Sequence, residues 1–201
     1  MANHVYFSVS LDGNEEALKG WSSAMELTSV ERELYDGTKY VSNELLDIDK
    51  LKFMPEGTYD KDGWLEDSWN YYVDNVGAKW CNVEEVEADY FSGYSAWSPP
   101  IQFVQYLHEY LYDHHDKKHS IKMTYEDEFR NFIGVAHYSD GVNTWEELDS
   151  EDIKDLMREI FGDKVDSENF WEHDVHKTLE GEEVQAIEEL DEIVWKWFED
   201  N

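Results

Sequence analysis

The side chains able to do chemistry fall into a few groups. His114 and His115 with His119, flanked by Asp113 and Asp116, bring together imidazoles and carboxylates of the kind that hold a divalent metal. The same histidines, with Lys117 and Lys118, stand where a helix is expected to end, and cations there complement the helix dipole. His173 and His176 share one face of a helical segment but lack a third ligand at fixed spacing. Asp60-Lys61-Asp62-Gly63 has the look of a calcium loop. With Gly63 at its sixth position, the first and twelfth fall on Thr58 and Trp69, which are unsuitable ligands, so an ordinary turn is expected. Gly93-Tyr94-Ser95-Ala96-Trp97 lacks the final glycine of a nucleophile elbow, and no phosphate-cradling glycine loop occurs. Close carboxylate pairs arise by chance among 48 Asp and Glu, so they do not single out an acid–base site. Cys81 is the only cysteine, which excludes an intramolecular disulfide and any Cys-based zinc or iron–sulfur centre. No catalytic residue, cofactor or metal site is expected.

What remains is charge. The chain has 201 residues and a net charge of −32. Its 9 Trp, 13 Tyr and 9 Phe supply a core that a disordered acidic chain would lack. A surface this negative repels phosphates, so direct binding to nucleic acid or to an anionic membrane is not expected. No run of apolar residues is long enough for a transmembrane helix. The opening residues, Met1-Ala2-Asn3-His4-Val5-Tyr6-Phe7, lack the basic and apolar regions of a signal peptide, so a cytoplasmic location is expected.

These groups need elements to position them. Val5 to Leu11 alternates as a strand, and Asp12-Gly13-Asn14 marks a turn into a helix over Glu15 to Leu27. Residues 28–75 read as an irregular insertion packed by Trp64, Trp69, Tyr71 and Tyr72. Ala78 to Glu87 and Tyr90 to Trp97 read as strands. Ser98-Pro99-Pro100 starts a helix over Ile101 to Asp113, with Ile101, Val104, Leu107 and Leu111 facing inward. Ser120 to Tyr125 and Phe129 to Tyr138 form a closing pair. Residues 146–201 then carry 21 acidic and 5 basic side chains. Ile153, Leu156, Met157, Ile160 and Phe161, and later Val184, Ile187, Leu190, Ile193, Val194 and Trp197, recur at helical spacing. Of the tryptophans, Trp21, Trp80, Trp97, Trp195 and Trp197 are expected to fill the core. The fold class expected is α+β, an antiparallel sheet with helices on one face over 1–145, followed by an acidic helical extension over 146–201.

Several stretches carry a resemblance. Asn75-Val76-Gly77-Ala78-Lys79-Trp80, Phe91, Ala96-Trp97-Ser98-Pro99-Pro100, Tyr125-Glu126-Asp127-Glu128 and Asn131-Phe132-Ile133-Gly134-Val135 resemble the YubB-type ferredoxin-like domain of conjugative plasmids and bacteriophages. Asn3 to Gly13 and Lys52-Phe53-Met54-Pro55 are similar to that family's opening strand and proline-marked loop, so the likeness spans roughly residues 3–141. It implies an antiparallel sheet backed by two helices and a phage or plasmid setting, and it brings no catalytic set. The strong acidity and the C-terminal extension depart from the family's pattern.

Acidic residues at i, i+3 and i, i+4 on a helix lie about 5–6 Å apart, the scale of phosphate separation along a strand. In the last helix Glu182, Glu188, Glu189 and Glu192 fall off the apolar stripe and form the expected partner-binding row. The leading expectation is a protein that binds and inhibits a basic nucleic-acid-handling host protein by imitating DNA, as an anti-restriction or other anti-defence factor does. The alternative is a generic acidic interaction protein without mimicry. The third reading is a metal-dependent hydrolase that depends on His173 or His176. Neither the target nor the oligomeric state follows from the residues.

Overall fold

Alternation of apolar and polar residues organises the frame. The computed structural model describes residues 3–26, 32–33, 39–40, 48–129, 131–140, 142–161 and 198. Strand β1 (His4–Asp12) buries Val5, Phe7, Val9 and Leu11 and turns His4, Tyr6, Ser8 and Ser10 to the opposite side. Helix α1 (Glu15–Ala24) starts where the turn signal places it, because Asn14 Oδ1 accepts from the backbone N–H groups of Glu16 and Ala17 at 2.9 and 3.1 Å. It closes at Ala24, short of Leu27, with the Glu26 N–H turned onto the Ser23 carbonyl.

The expected insertion contains a small antiparallel pair, β2 (Arg32–Glu33) and β3 (Lys39–Tyr40), a 3₁₀ turn at Ile48–Lys50 and helix α2 (Ser68–Asn75). Of its expected anchors Tyr71 is buried and Tyr72 half-buried, whereas the two tryptophans are not. Trp64 and Trp69 are 45% and 49% exposed, while Ile48, Leu51, Met54 and Tyr71 are buried. Phe53 packs its ring 5.6 Å from Phe103 and 6.0 Å from Tyr110. Tyr71 Oη donates to the Pro55 carbonyl at 2.8 Å.

The chain then runs through β4 (Cys81–Val86), β5 (Tyr90–Ala96), α3 (Ile101–His114), β6 (Ser120–Asp127), β7 (Phe132–Ser139), β8 (Val142–Asp149) and α4 (Ser150–Phe161). Six strands form one antiparallel sheet in the order β4-β5-β1-β6-β7-β8. Strand β1 pairs antiparallel with both β5 and β6, placing Val9 beside Phe91 and Met123. The β4–β5 register shifts between Val83 and Glu85, beyond which Glu84, Glu85 and Val86 are exposed. Trp21 of α1, Phe91 of β5 and Phe103 of α3 pack in sequence, tilted and then edge to face, at 5.3 and 5.5 Å, and Phe7 meets Phe91 edge-on at 6.3 Å. Both long helices of this region therefore cover the same face of the sheet. Gly20 lets them touch: a Cβ there would sit 2.6 Å from the His115 ring and 2.7 Å from Leu111.

Four expectations are corrected in detail. Helix α3 begins at Ile101, but Ser98 is not its cap; the Ser98 hydroxyl donates to the Gly77 carbonyl at 2.6 Å, and Pro100 holds the cap position without a side-chain bond. Its buried face is Phe103, Val104, Leu107, His108 and Leu111, whereas Ile101 is half-buried. Trp97, expected in the core, is 52% exposed at a left-handed turn with φ of +69° that ends β5. Finally, residues 146–149 end a strand rather than begin a helical extension. Among β8 side chains only Leu148 is buried, so this edge strand carries almost no apolar periodicity to announce it.

The chain divides into two compact units, Met1–Phe129 with Gly134–Trp145, and Arg130–Ile133 with Glu146–Asn201. In the second, α4 opens with a reciprocal cap. Asp149 Oδ1 accepts from the Glu151 and Asp152 N–H groups at 2.8 and 3.1 Å, and Asp152 Oδ2 accepts from the Asp149 N–H at 3.2 Å. Lys154–Glu151 and Arg158–Asp155 pairs at i, i+3 run along it, and Ile153 is buried. Among the described residues no helix is long and apolar enough to cross a membrane.

Candidate functional site

The expected partner-binding row, Glu182, Glu188, Glu189 and Glu192, lies outside the described residues, as do His173, His176, Trp195 and Trp197. The other histidine group is taken apart by the end of α3. His114 is exposed, its Nδ1 lying 3.0 Å from the Tyr110 carbonyl and its ring stacked on Tyr110 at 4.9 Å. His115 turns toward α1. His119 is 1% exposed and faces neither of them. No group of His, Cys, Asp and Glu able to hold a metal occurs among the described residues. The Asp60 loop is an ordinary turn: Asp60 Oδ1 accepts from the N–H groups of Asp62 and Trp64, each at 2.9 Å. Cys81 is buried, and the loss of water pushes its thiol well above the usual range, which keeps it protonated and inert.

A different histidine becomes prominent. His108, 3% exposed, lies on the apolar stripe of α3 with Val104, Leu107 and Leu111. Its Nδ1 is 2.9 Å from His119 Nε2, and His119 Nδ1 is 2.5 Å from the Asp116 carbonyl. The turn after α3 makes this possible by bringing His119, the residue before β6, back against the helix. Burial pushes the His108 imidazole below the ordinary histidine range, and the neighbouring His119 adds to the effect. The rings of Tyr112 and Tyr138 lie 6.1 and 5.9 Å from His108. Tyr138, desolvated, has its phenol pushed up to about 12 and donates to the Ile101 carbonyl at 3.3 Å. A cavity of about 220 Å³ opens beside His108, lined also by Glu109, Tyr112, Asp113 and Asn143. Sequence reasoning does not reach this site, although one signal was present: an imidazole spaced at i+4 from Val104 and i−3 from Leu111 must enter the core and find a partner there.

A second cluster sits where β5 leaves the sheet. Lys79 Nζ lies 4.4 Å from the Trp69 ring and 4.6 Å from Trp97, and the two indoles meet edge to face at 6.5 Å. This cation–π arrangement explains how two half-exposed tryptophans are held, and it already contains its own cation.

In comparisons with known proteins, no family model, no curated protein and no solved structure matches the chain.

Proposed function

We propose that the chain is an acidic inhibitor that binds a basic, nucleic-acid-handling host protein in the bacterial cytoplasm, on behalf of a phage or mobile element. The observation that carries this reading is charge in large excess on a folded frame. Paired one to one, the 16 Lys and Arg leave 32 of the 48 carboxylates without a cation. Exposed acids stand on regular elements: Glu84 and Glu85 on β4, Glu109 and Asp113 on α3, and Glu151, Asp152 and Asp155 on α4. On α3 and α4 the spacings of i+3 and i+4 give separations of about 5–6 Å, and duplex DNA offers one charge per roughly 1.7 Å of axis to the same kind of groove. The phage and plasmid setting rests on the family resemblance. The finer fold reading, a ferredoxin-like β1-α1-β4-β5-α3-β6 core extended by β7 and β8, is supported by the strand order β4-β5-β1-β6 within the sheet.

The test is a competition titration. A basic partner captured on the immobilised full-length chain, and released by rising salt, is offered labelled duplex DNA with increasing chain. Competition that fades steeply above physiological ionic strength is expected, because exposed charge pairs are screened over about 8 Å there. Single Glu→Gln changes at Glu182, Glu188, Glu189 and Glu192 should each cost about 0–1 kcal/mol. All four together should cost considerably more. A partner whose DNA binding survives saturating chain overturns the mimicry and leaves the generic interaction reading.

A further inference from the structure

The cavity beside His108 has a polarity that follows from its hydrogen bonds. A backbone carbonyl only accepts, so the His119 Nδ1 that faces Asp116 O must carry the proton. A neutral imidazole has one N–H, which leaves His119 Nε2 as an acceptor. His108 Nδ1, 2.9 Å away, is therefore the donor, and His108 Nε2 keeps its lone pair. That nitrogen has no hydrogen-bond partner among the described residues and is not itself sealed from water, while the residue as a whole is 3% exposed and lines the cavity. The Asp113 carboxylate, the Tyr112 hydroxyl and the Asn143 amide likewise make no hydrogen bond among the described residues. Glu109 accepts from Gln105 Nε2 at 2.9 Å and has acceptor capacity to spare. The lining thus offers two carboxylates, an imidazole lone pair, an amide and an aromatic ring, with no fixed positive charge among its residues.

An anion is excluded by that lining, and the lining lacks the convergent donor set a metal needs. The complement is an organic cation with several N–H donors. A guanidinium fits better than an ammonium: it is planar, more weakly hydrated, and can bond carboxylates while lying against a ring. We propose that this cavity seats an arginine side chain of the basic partner, with His108 Nε2 as an acceptor and Asp113 and Glu109 as its counter-charges. The proposal rests on the reading of the chain as a binder of a basic protein and names one anchor of that interface.

The His108–His119 pair also makes the seat sensitive to pH. The groups facing His108 are Glu109, Tyr112 and Asp113 from α3, His119 from the turn before β6 and Tyr138 from β7, with Lys117 beyond Tyr112. One added proton, whichever ring holds it, turns His108 Nε2 into an N–H donor. On His108 it sits there directly; on His119 it forces His108 to the other tautomer. The seat for a cation is lost in either case, and burial of His108 puts its own protonation below the ordinary histidine value of about 6.5.

The experiment is a titration of the ¹⁵N-labelled full-length chain with Nα-acetyl-arginine methylamide at pH 7.5. The readout is the His108 and His119 ring nitrogens. A saturable shift of His108 Nε2 is expected, with no such shift from the citrulline analogue and a several-fold weaker one from the lysine analogue. Asp113→Asn, at an exposed position, should weaken binding by about threefold, and acidification through the folded His108 value, which lies below about 6.5, should weaken it progressively. A non-saturating shift, an equal response to citrulline, or indifference to Asp113→Asn overturns the seat. Equal binding of the lysine analogue overturns its assignment to guanidinium. If the arginine probe binds as expected while DNA competition on the partner is absent, the inhibitory function fails and the seat stands. If competition is intact and the probe has no effect, the seat alone fails.

Discussion

On the side covered by α1 and α3, the strands shut in Phe7, Val9, Phe91, Ile121 and Met123, while the same strands turn Tyr6, Ser8, Ser10, Tyr94 and Thr124 to the opposite side, where Tyr6 is 48% exposed. The register is common to both: Phe7 sits across from Gly93 and Tyr125, and Ser8 from Ser92 and Thr124. One side is held by area removed from water, the other by hydroxyl contacts such as Ser8 Oγ to Thr124 Oγ1 at 2.7 Å. The difference shows where this chain can change. Its fold depends on one side of the sheet and leaves the other available for composition to drift.

Substitutions can break or sharpen that contrast. Phe91→Ala should be the most damaging, because Phe91 is fully buried and links Trp21, Phe7 and Phe103; a loss of about 3–5 kcal/mol in denaturant unfolding is expected. Gly93→Ala comes next. Its Cβ would stand 2.0 Å from the Asn82 carbonyl oxygen and 2.9 Å from Val83 Cα, backbone that cannot step aside, so β4 must shift at a cost of about 1–3 kcal/mol.

A smaller, pH-gated effect is expected at the His108–His119 pair. An unfolded imidazole titrates near 6.5, and burial holds His108 below that in the folded chain. Between the two values the unfolded chain binds more protons, so stability rises with pH. The contribution is complete above about 6.5 and is lost as pH falls through the folded value. Melting temperatures of wild type and His108→Gln between pH 7.5 and 5.5 test this; the wild type should lose more on acidification, and parallel curves would refute it. Tyr6→Ser should do least, about 0.5 kcal/mol or less, as for other changes away from the core. A larger loss there would show that the open side also carries the fold.

The same contrast explains what could be read from the residues. Strands β1, β5 and β6 were legible because one covered side forces alternation, and α1 because Asn14 and the acidic first turn announce it. Helix α3 was legible in extent, its start at Ile101 included, but not in its cap, since Ser98 looks like a cap and instead bonds the Gly77 carbonyl. Strand β8 was not legible, because a strand with nearly every side chain in water has no period to detect. Nor were the positions of Trp64, Trp69 and Trp97, for bulk and aromaticity do not distinguish a core ring from one held by Lys79. The cavity depends on His108 meeting His119 across a turn, a tertiary event that neither residue type encodes alone.

The register shift in β4 has a consequence for the protein's dealings with its own copies. An edge strand presents unpaired N–H and C=O groups that invite another chain to add a strand. Here the ladder is broken between Val83 and Glu85, and the residues beyond the break place Glu84, Glu85 and Glu87 in water. A bulge bends the edge away from the flat geometry a newcomer needs, and the carboxylates repel an identical edge approaching it. This margin of the sheet therefore resists strand addition by another copy of the chain.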